Sequence, residues 1–196
     1  MTVHGQRRLR ALTTAAAIVG AVIVAALIWS RMTVPGPWWL DPADPRVSLE
    51  DVEREVAQRY PVPDIAPATL AGMLAGGKVV LFDVRTEEEF TAGHLPDAIR
   101  VEPGMGAEEF LSLHRERLDG APVVFYCAVG VRSSQMMMRT LERIVPHAGK
   151  GVFNLRGGIF RWTADGRVLV RGNKPGQAHP FDEGWGKLLT RSTARP

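Results

Sequence analysis

The chain has one cysteine, two tyrosines and no second thiol in 196 residues. A disulfide framework is therefore excluded, and so is a cysteine-rich metal module. Its five histidines, His4, His94, His114, His147 and His179, show no metal-ligand spacing. Charge of one sign is also lacking. The formal net charge is only +3, and Arg7, Arg8, Arg10 and Arg31 all precede the first acidic residue, Asp41. Removing those four leaves 20 basic against 21 acidic groups from residue 32 onward. The basic balance belongs to the N-terminal flank and gives no argument for nucleic-acid binding. There is no internal repeat, and a composition of 45% hydrophobic and 23% charged residues excludes global disorder.

Long apolar runs are absent with one exception, the uncharged stretch from Ala11 to Trp29. As a helix it would span about 28 Å, close to the hydrocarbon thickness of a bilayer. The expected organisation is a cytoplasmic flank over 1–10, one transmembrane helix or signal anchor over 11–30 and a Pro-rich juxtamembrane linker over 31–47. A domain over 48–165 and a C-terminal extension over 166–196 follow. Three arginines before the run and one just after it place the N-terminus in the cytoplasm by the positive-inside rule. The expected location is a bacterial inner membrane, with the folded part facing the periplasm or the outside. A cleaved secretory signal and a twin-arginine export signal are the competing readings.

Beyond residue 47, Ser48 with Asp51 opens a helix over about 48–59, and Pro67 opens another to Ala75. Short apolar runs follow at Val79–Phe82, Ala98–Val101, Val123–Tyr126 and Val152–Leu155, separated by helical stretches at 87–92, 107–118 and 133–145. Continuous apolar strands alternating with helices require a parallel sheet covered on both faces. The fold class is α/β. Met136, Met137 and Met138 read as core filling, Val145 as facing inward, and Gly166–Val170 as an extra strand. In the tail, Phe181, Trp185, Leu188 and Leu189 are expected to pack back onto the domain, with a docking segment for a membrane neighbour as the alternative.

Cys127 stands where the third apolar run breaks into the loop Cys127-Ala128-Val129-Gly130-Val131-Arg132, ahead of an amphipathic helix. A glycine-centred turn followed by a helix N-terminus favours an anion, because backbone N–H groups and the helix dipole act on the same side. That field would lower the thiol pKa and supply thiolate, the form that attacks electrophilic sulfur. A buried, inert structural cysteine is the alternative.

Four patterns in order resemble the rhodanese family over roughly residues 62–165. They are Ile65-Ala66-Pro67-Ala68-Thr69-Leu70; Asp83-Val84-Arg85 with Glu89-Phe90 and Gly93-His94-Leu95-Pro96-Asp97-Ala98-Ile99; the Cys127 loop; and Asn154-Leu155-Arg156-Gly157-Gly158-Ile159 with Trp162. The resemblance implies a sheet of about five mostly parallel strands flanked by helices. It further implies a sulfurtransferase that takes sulfane sulfur from a thiosulfate- or persulfide-like donor and passes it to a thiol or cyanide. Cys127 would be the nucleophile. The backbone amides of Ala128, Val129, Gly130, Val131 and Arg132 would form the anion cradle, with Arg132 as a loop-closing cation and no metal or cofactor. Related phosphatases and arsenate reductases carry five residues between cysteine and arginine, whereas four stand between Cys127 and Arg132, so the loop favours sulfur transfer. Several active members carry a basic residue where this chain has Ala128, which points to a thiol-based donor. Asp83, Arg85, Glu89 and His94 are expected to be structural, and Gly157-Gly158 to allow a tight turn beside the loop. A non-catalytic anion- or partner-binding module, with a membrane-protein or redox partner, is the rival reading.

Overall fold

The computed structural model describes residues 40–194 except Lys78 and Asp119. The expected flank and transmembrane span, and the linker as far as residue 39, lie outside the described residues. Among the described residues no helix is long and apolar enough to cross a membrane.

The order of elements is α1 (Leu49–Arg59), β1 (Asp64–Ile65), α2 (Pro67–Gly76), β2 (Val80–Asp83), α3 (Glu87–Ala92), β3 (Ile99–Arg100), α4 (Ala107–Leu118), β4 (Val123–Tyr126) and α5 (Val131–Ile144). A 3-10 turn at Val145–His147, β5 (Val152–Leu155), α6 (Gly158–Ala164), the strands β6 (Val170–Arg171) and β7 (Lys174–Pro175), and α7 (Glu183–Thr193) complete it. Capping boxes start α1 and α3: the Ser48 hydroxyl accepts the Asp51 N–H, and the Thr86 hydroxyl accepts the Glu89 N–H, while each acidic side chain reaches back to its cap.

β1–β5 form one sheet in the order β1-β5-β4-β2-β3, and every pairing is parallel. The central strands β2 and β4 are buried at every position, which is why they read as unbroken apolar runs. One face carries Phe82 and Phe125, stacked at 5.3 Å between centroids, with Phe110 of α4 edge-on to Phe82 at 4.8 Å. Met136 and Met137 of α5 fill the same face.

Three expectations need correction. Met138 is 49% exposed, because 100° per residue turns a third consecutive side chain off the apolar stripe. Val145 is 50% exposed, because α5 ends at Ile144 and the chain tightens into the 3-10 turn. The extra strand begins only at Val170, which bridges His94 and pairs antiparallel with Pro175. The residues at 41–47 make two turns, and the Arg191 guanidinium of α7 donates to the carbonyls of Pro42, Asp44 and Val47.

Candidate active site

After β2 the chain crosses to β3 on one side, and after β4 it crosses to β5 on the other. The carboxyl ends of β2 and β4 therefore flank the topological switch point, where open parallel sheets leave a crevice. Cys127 directly follows β4, and Asp83 ends β2 with Val84 and Arg85 directly after it.

The loop is shaped by its neighbours. The carbonyls of Cys127 and Ala128 accept the N–H groups of Ile159 and Phe160 at 2.9 and 3.0 Å, so the first turn of α6 holds the loop from behind. Gly130 sits at φ +102°, a conformation glycine adopts without steric cost, and its N–H is 3.2 Å from the Cys127 sulfur. α5 starts at Val131, two residues earlier than the periodicity suggests, so Val131 and Arg132 lie in its first turn. The N–H groups of that turn have no partner within the helix. Cys127 is 1% exposed, and Ala128 and Val129 are buried beside it.

Ser133, which the sequence reading did not select, is fully buried, with its hydroxyl 3.5 Å from the sulfur and donating to Asn154 Oδ1 at 2.6 Å. One hydroxyl proton serves one acceptor at a time, so Ser133 links the sulfur to β5 as a two-way donor. The legible signal was Asn154, a polar residue inside an otherwise apolar strand, which must find a partner.

The residues expected to be structural occupy the β2 side. Arg85 is completely buried and pairs with Asp83 through Nε at 2.9 Å and Nη2 at 2.6 Å; Nη2 also donates to the Gly93 carbonyl at 2.7 Å. Burial opposes the Arg85 charge, but the Asp83 hydrogen bonds and charge outweigh it and raise its pKa. The Tyr126 hydroxyl accepts the Leu95 N–H at 3.1 Å, and burial pushes its pKa well up, so it stays protonated. His94 stacks on Phe90 at 3.9 Å with Nδ1 2.9 Å from the Phe90 carbonyl.

Glu89 does more than pin its own helix. Its two oxygens accept from Nη1 and Nη2 of Arg132, both at 2.7 Å, across the crevice between α3 and α5. Burial disfavours the Glu89 carboxylate, yet the hydrogen bonds and charge of Arg132 outweigh it and lower the pKa. Burial likewise opposes the Arg132 charge, and Glu89 with the Cys127 sulfur raises its pKa. Gly157 and Gly158, at φ +66° and +53°, make the tight turn beside the loop. A Cβ on Gly158 would lie 2.6 Å from the Ala128 carbonyl oxygen and closer still to that of Cys127.

In the C-terminal extension Leu188 is buried and Trp185 lies edge-on to Phe160 at 6.5 Å. Phe181, expected to pack inward, is instead 60% exposed, its ring 5.4 Å from the Arg132 guanidinium carbon. No group of three or more potential metal-ligating side chains occurs among the described residues.

A lone thiol held by a backbone N–H and a buried hydroxyl, at the switch point of an all-parallel sheet, defines an α/β domain with a cysteine loop. The rhodanese-like domain pattern matches residues 66–165, and the chain belongs to the rhodanese-like family. A sulfurtransferase of Allochromatium vinosum is 33% identical over 93 residues, covering 47% of this chain and 78% of that protein. The human thiosulfate:glutathione sulfurtransferase is 31% identical over 84 residues, covering 37% of this chain and 72% of that one. A tRNA uridine(34) hydroxylase of Bordetella petrii is 32% identical over 108 residues, covering 51% of this chain but only 41% of that enzyme. These relatives support a sulfurtransferase-like function, while family membership by itself does not select the reaction.

Proposed function

We propose that the protein is a rhodanese-type sulfurtransferase in which Cys127 carries sulfur as a persulfide. The observation that carries this reading is the Cys127 sulfur at the carboxyl end of β4, with the Gly130 N–H at 3.2 Å and the Ser133 hydroxyl at 3.5 Å. The Cys127 thiolate attacks the sulfane sulfur of a thiosulfate- or persulfide-like donor. The donor's sulfur–sulfur bond breaks, and its electron pair leaves on the departing sulfite or thiolate. A thiol or cyanide acceptor then attacks the outer sulfur, and the electron pair returns to Cys127. This double displacement needs no external oxidant. Fixed donors around the loop suit a charge that develops during transfer.

The test is intact mass spectrometry of the full chain before and after a sulfane-sulfur donor. The expected result is a gain of one sulfur atom on Cys127 that cyanide or a thiol removes, and no gain in a folded Cys127→Ala variant. Sulfur transfer by that variant would refute the role of Cys127. The 1% exposure of Cys127 favours one rival, a non-catalytic module that binds an anion or a membrane or redox partner. That reading predicts a folded protein whose thiol takes up no sulfur from any donor.

The proposal extends to location: residues 11–30 anchor the protein in a bacterial inner membrane, with the domain on the periplasmic side. The uncharged run and the arginine asymmetry support it. A reporter fused after residue 31 should work outside the cytoplasm; activity confined to the cytoplasm would overturn the orientation.

A further inference from the structure

From Cys127 to Ser134 only Val131 and Arg132 escape burial, so the mouth of the site lies at the start of α5. The other approaches are filled. α6 closes the loop from behind through Ile159 and Phe160, Ser133 and Asn154 fill the β5 side, and the buried pair of Asp83 and Arg85 fills the β2 side. At the mouth the Arg132 guanidinium donates to both Glu89 oxygens at 2.7 Å and also interacts with the Cys127 sulfur. Whatever reaches the sulfur passes this side chain.

The C-terminal extension crosses that mouth. Phe181 holds its ring 5.4 Å from the Arg132 guanidinium carbon, within cation–π range, and His179 Nε2 lies 3.9 Å from Glu88 Oε1. Glu88 belongs to α3 and Arg132 to α5, so residues 178–181 run from one wall of the crevice to the other where Glu89 and Arg132 bridge it. Both ends of this strap are fixed. Upstream, the Gly176 N–H donates to the Leu169 carbonyl at 2.9 Å and the Gln177 N–H to the Ala92 carbonyl at 3.1 Å. A Cβ on Gly93 would lie 2.5 Å from the Gln177 nitrogen, so the chain there is pressed against the end of α3. Downstream, Asp182 caps α7, which docks through Leu188 and Trp185. Between these anchors, among the described residues, 178–181 make no backbone hydrogen bond, and Phe181 is 60% exposed. A segment fixed at its ends and held in the middle by side-chain contacts alone opens at low cost without unfolding its neighbours. The strap also lies beyond residues 66–165, so it is an addition to the family's domain.

We propose that residues 178–181 gate Cys127, closed by the stacking of Phe181 on Arg132 and opened by release of that ring. The gate acts on access to the thiol and goes beyond the transferase reading without resting on it. Cys127 is the chain's one thiol, so alkylation of the full chain by iodoacetamide, in which a sulfur–carbon bond forms as iodide leaves, reports this site alone by intact mass. Loss of a cation–π contact at an exposed site shifts an equilibrium about two- to fivefold, so Phe181→Ala should raise the alkylation rate by that factor at an unchanged melting temperature. Phe181→Tyr keeps a ring over Arg132 and should stay at the native rate. An equal rate in Phe181→Ala and the native protein, including no alkylation of either, overturns the gate, and so does equal acceleration in Phe181→Tyr. A faster rate that comes with a lower melting temperature reports global opening and overturns it as well. The two readings fail separately: sulfur loading of an ungated thiol leaves the transferase standing, and a gated thiol that takes up no sulfur leaves the gate standing.

Discussion

Replacing Gly158 by alanine should damage stability and sulfur loading together, because this residue is the point where α6 touches the Cys127 loop. Two costs add. The residue sits at φ +53°, where a Cβ costs about 1–2 kcal/mol. The new Cβ would also lie 2.6 Å from the Ala128 oxygen and closer to the Cys127 oxygen, well inside ordinary contact. Both oxygens accept the α6 hydrogen bonds that hold the loop, so neither can swing aside freely. Overpacking of this kind costs about 1–3 kcal/mol. The combined loss of about 2–5 kcal/mol corresponds to roughly 4–20 °C in the melting temperature of a domain this size. Retreat of the loop by a fraction of an ångström should slow loading by up to about 100-fold. Gly172→Ala is the control: its φ is +56°, but nothing lies within 4 Å of the added Cβ. Circular-dichroism melts and single-turnover mass shifts would be recorded for both variants. Equal melting temperatures and equal loading rates in the two would refute the claim that the α6 contact shapes the site.

Ser133→Ala removes the hydroxyl that joins the sulfur to Asn154 and should slow single-turnover loading about tenfold, with a stability loss of about 1–3 kcal/mol from the unpaired Asn154 oxygen. An unchanged loading rate in the folded variant would remove Ser133 from the site. His114 lies 5.1 Å from Phe82 and 5.0 Å from Phe110, and burial, then the Arg117 charge, lowers its pKa. The unfolded chain therefore takes up this proton at higher pH than the folded one, so the His114 contribution is fully present above the ordinary value of 6.5 and declines as pH falls below it. Denaturant titrations from pH 7.5 to 5 should show a shallower loss for His114→Leu; an identical slope would exclude this histidine as a source.

Much of the architecture was legible because its causes are local. Four apolar runs, the Ser48–Asp51 cap and the Pro67 helix start each specify an element within a few residues of sequence, and four of the sheet's strands fall where the runs do. β1 was not legible as a strand: it spans two residues beside Pro61 and Pro63, and only its pairing with Asn154 and Leu155 makes it part of the sheet. Val145 shows the same limit from the other side, since an apolar residue near a helix end is placed by where the helix stops.

Cys127 and its loop could be recognised from residue type and spacing alone, because a strand, a glycine turn and a helix start are neighbours along the chain. The partners of that loop could not. Glu89 and Arg132 stand 43 positions apart, Ser133 and Asn154 stand 21 apart, and Phe181 reaches Arg132 from the C-terminal extension. The sequence by itself determined the α/β alternation, the four strands that fall on apolar runs and the position of the thiol, through local propensity and apolar periodicity. The tertiary structure alone decided that the loop's cation is already paired with Glu89 and covered by Phe181, because ion pairing and ring contact depend on distances that close only when the sheet and the C-terminal extension have packed.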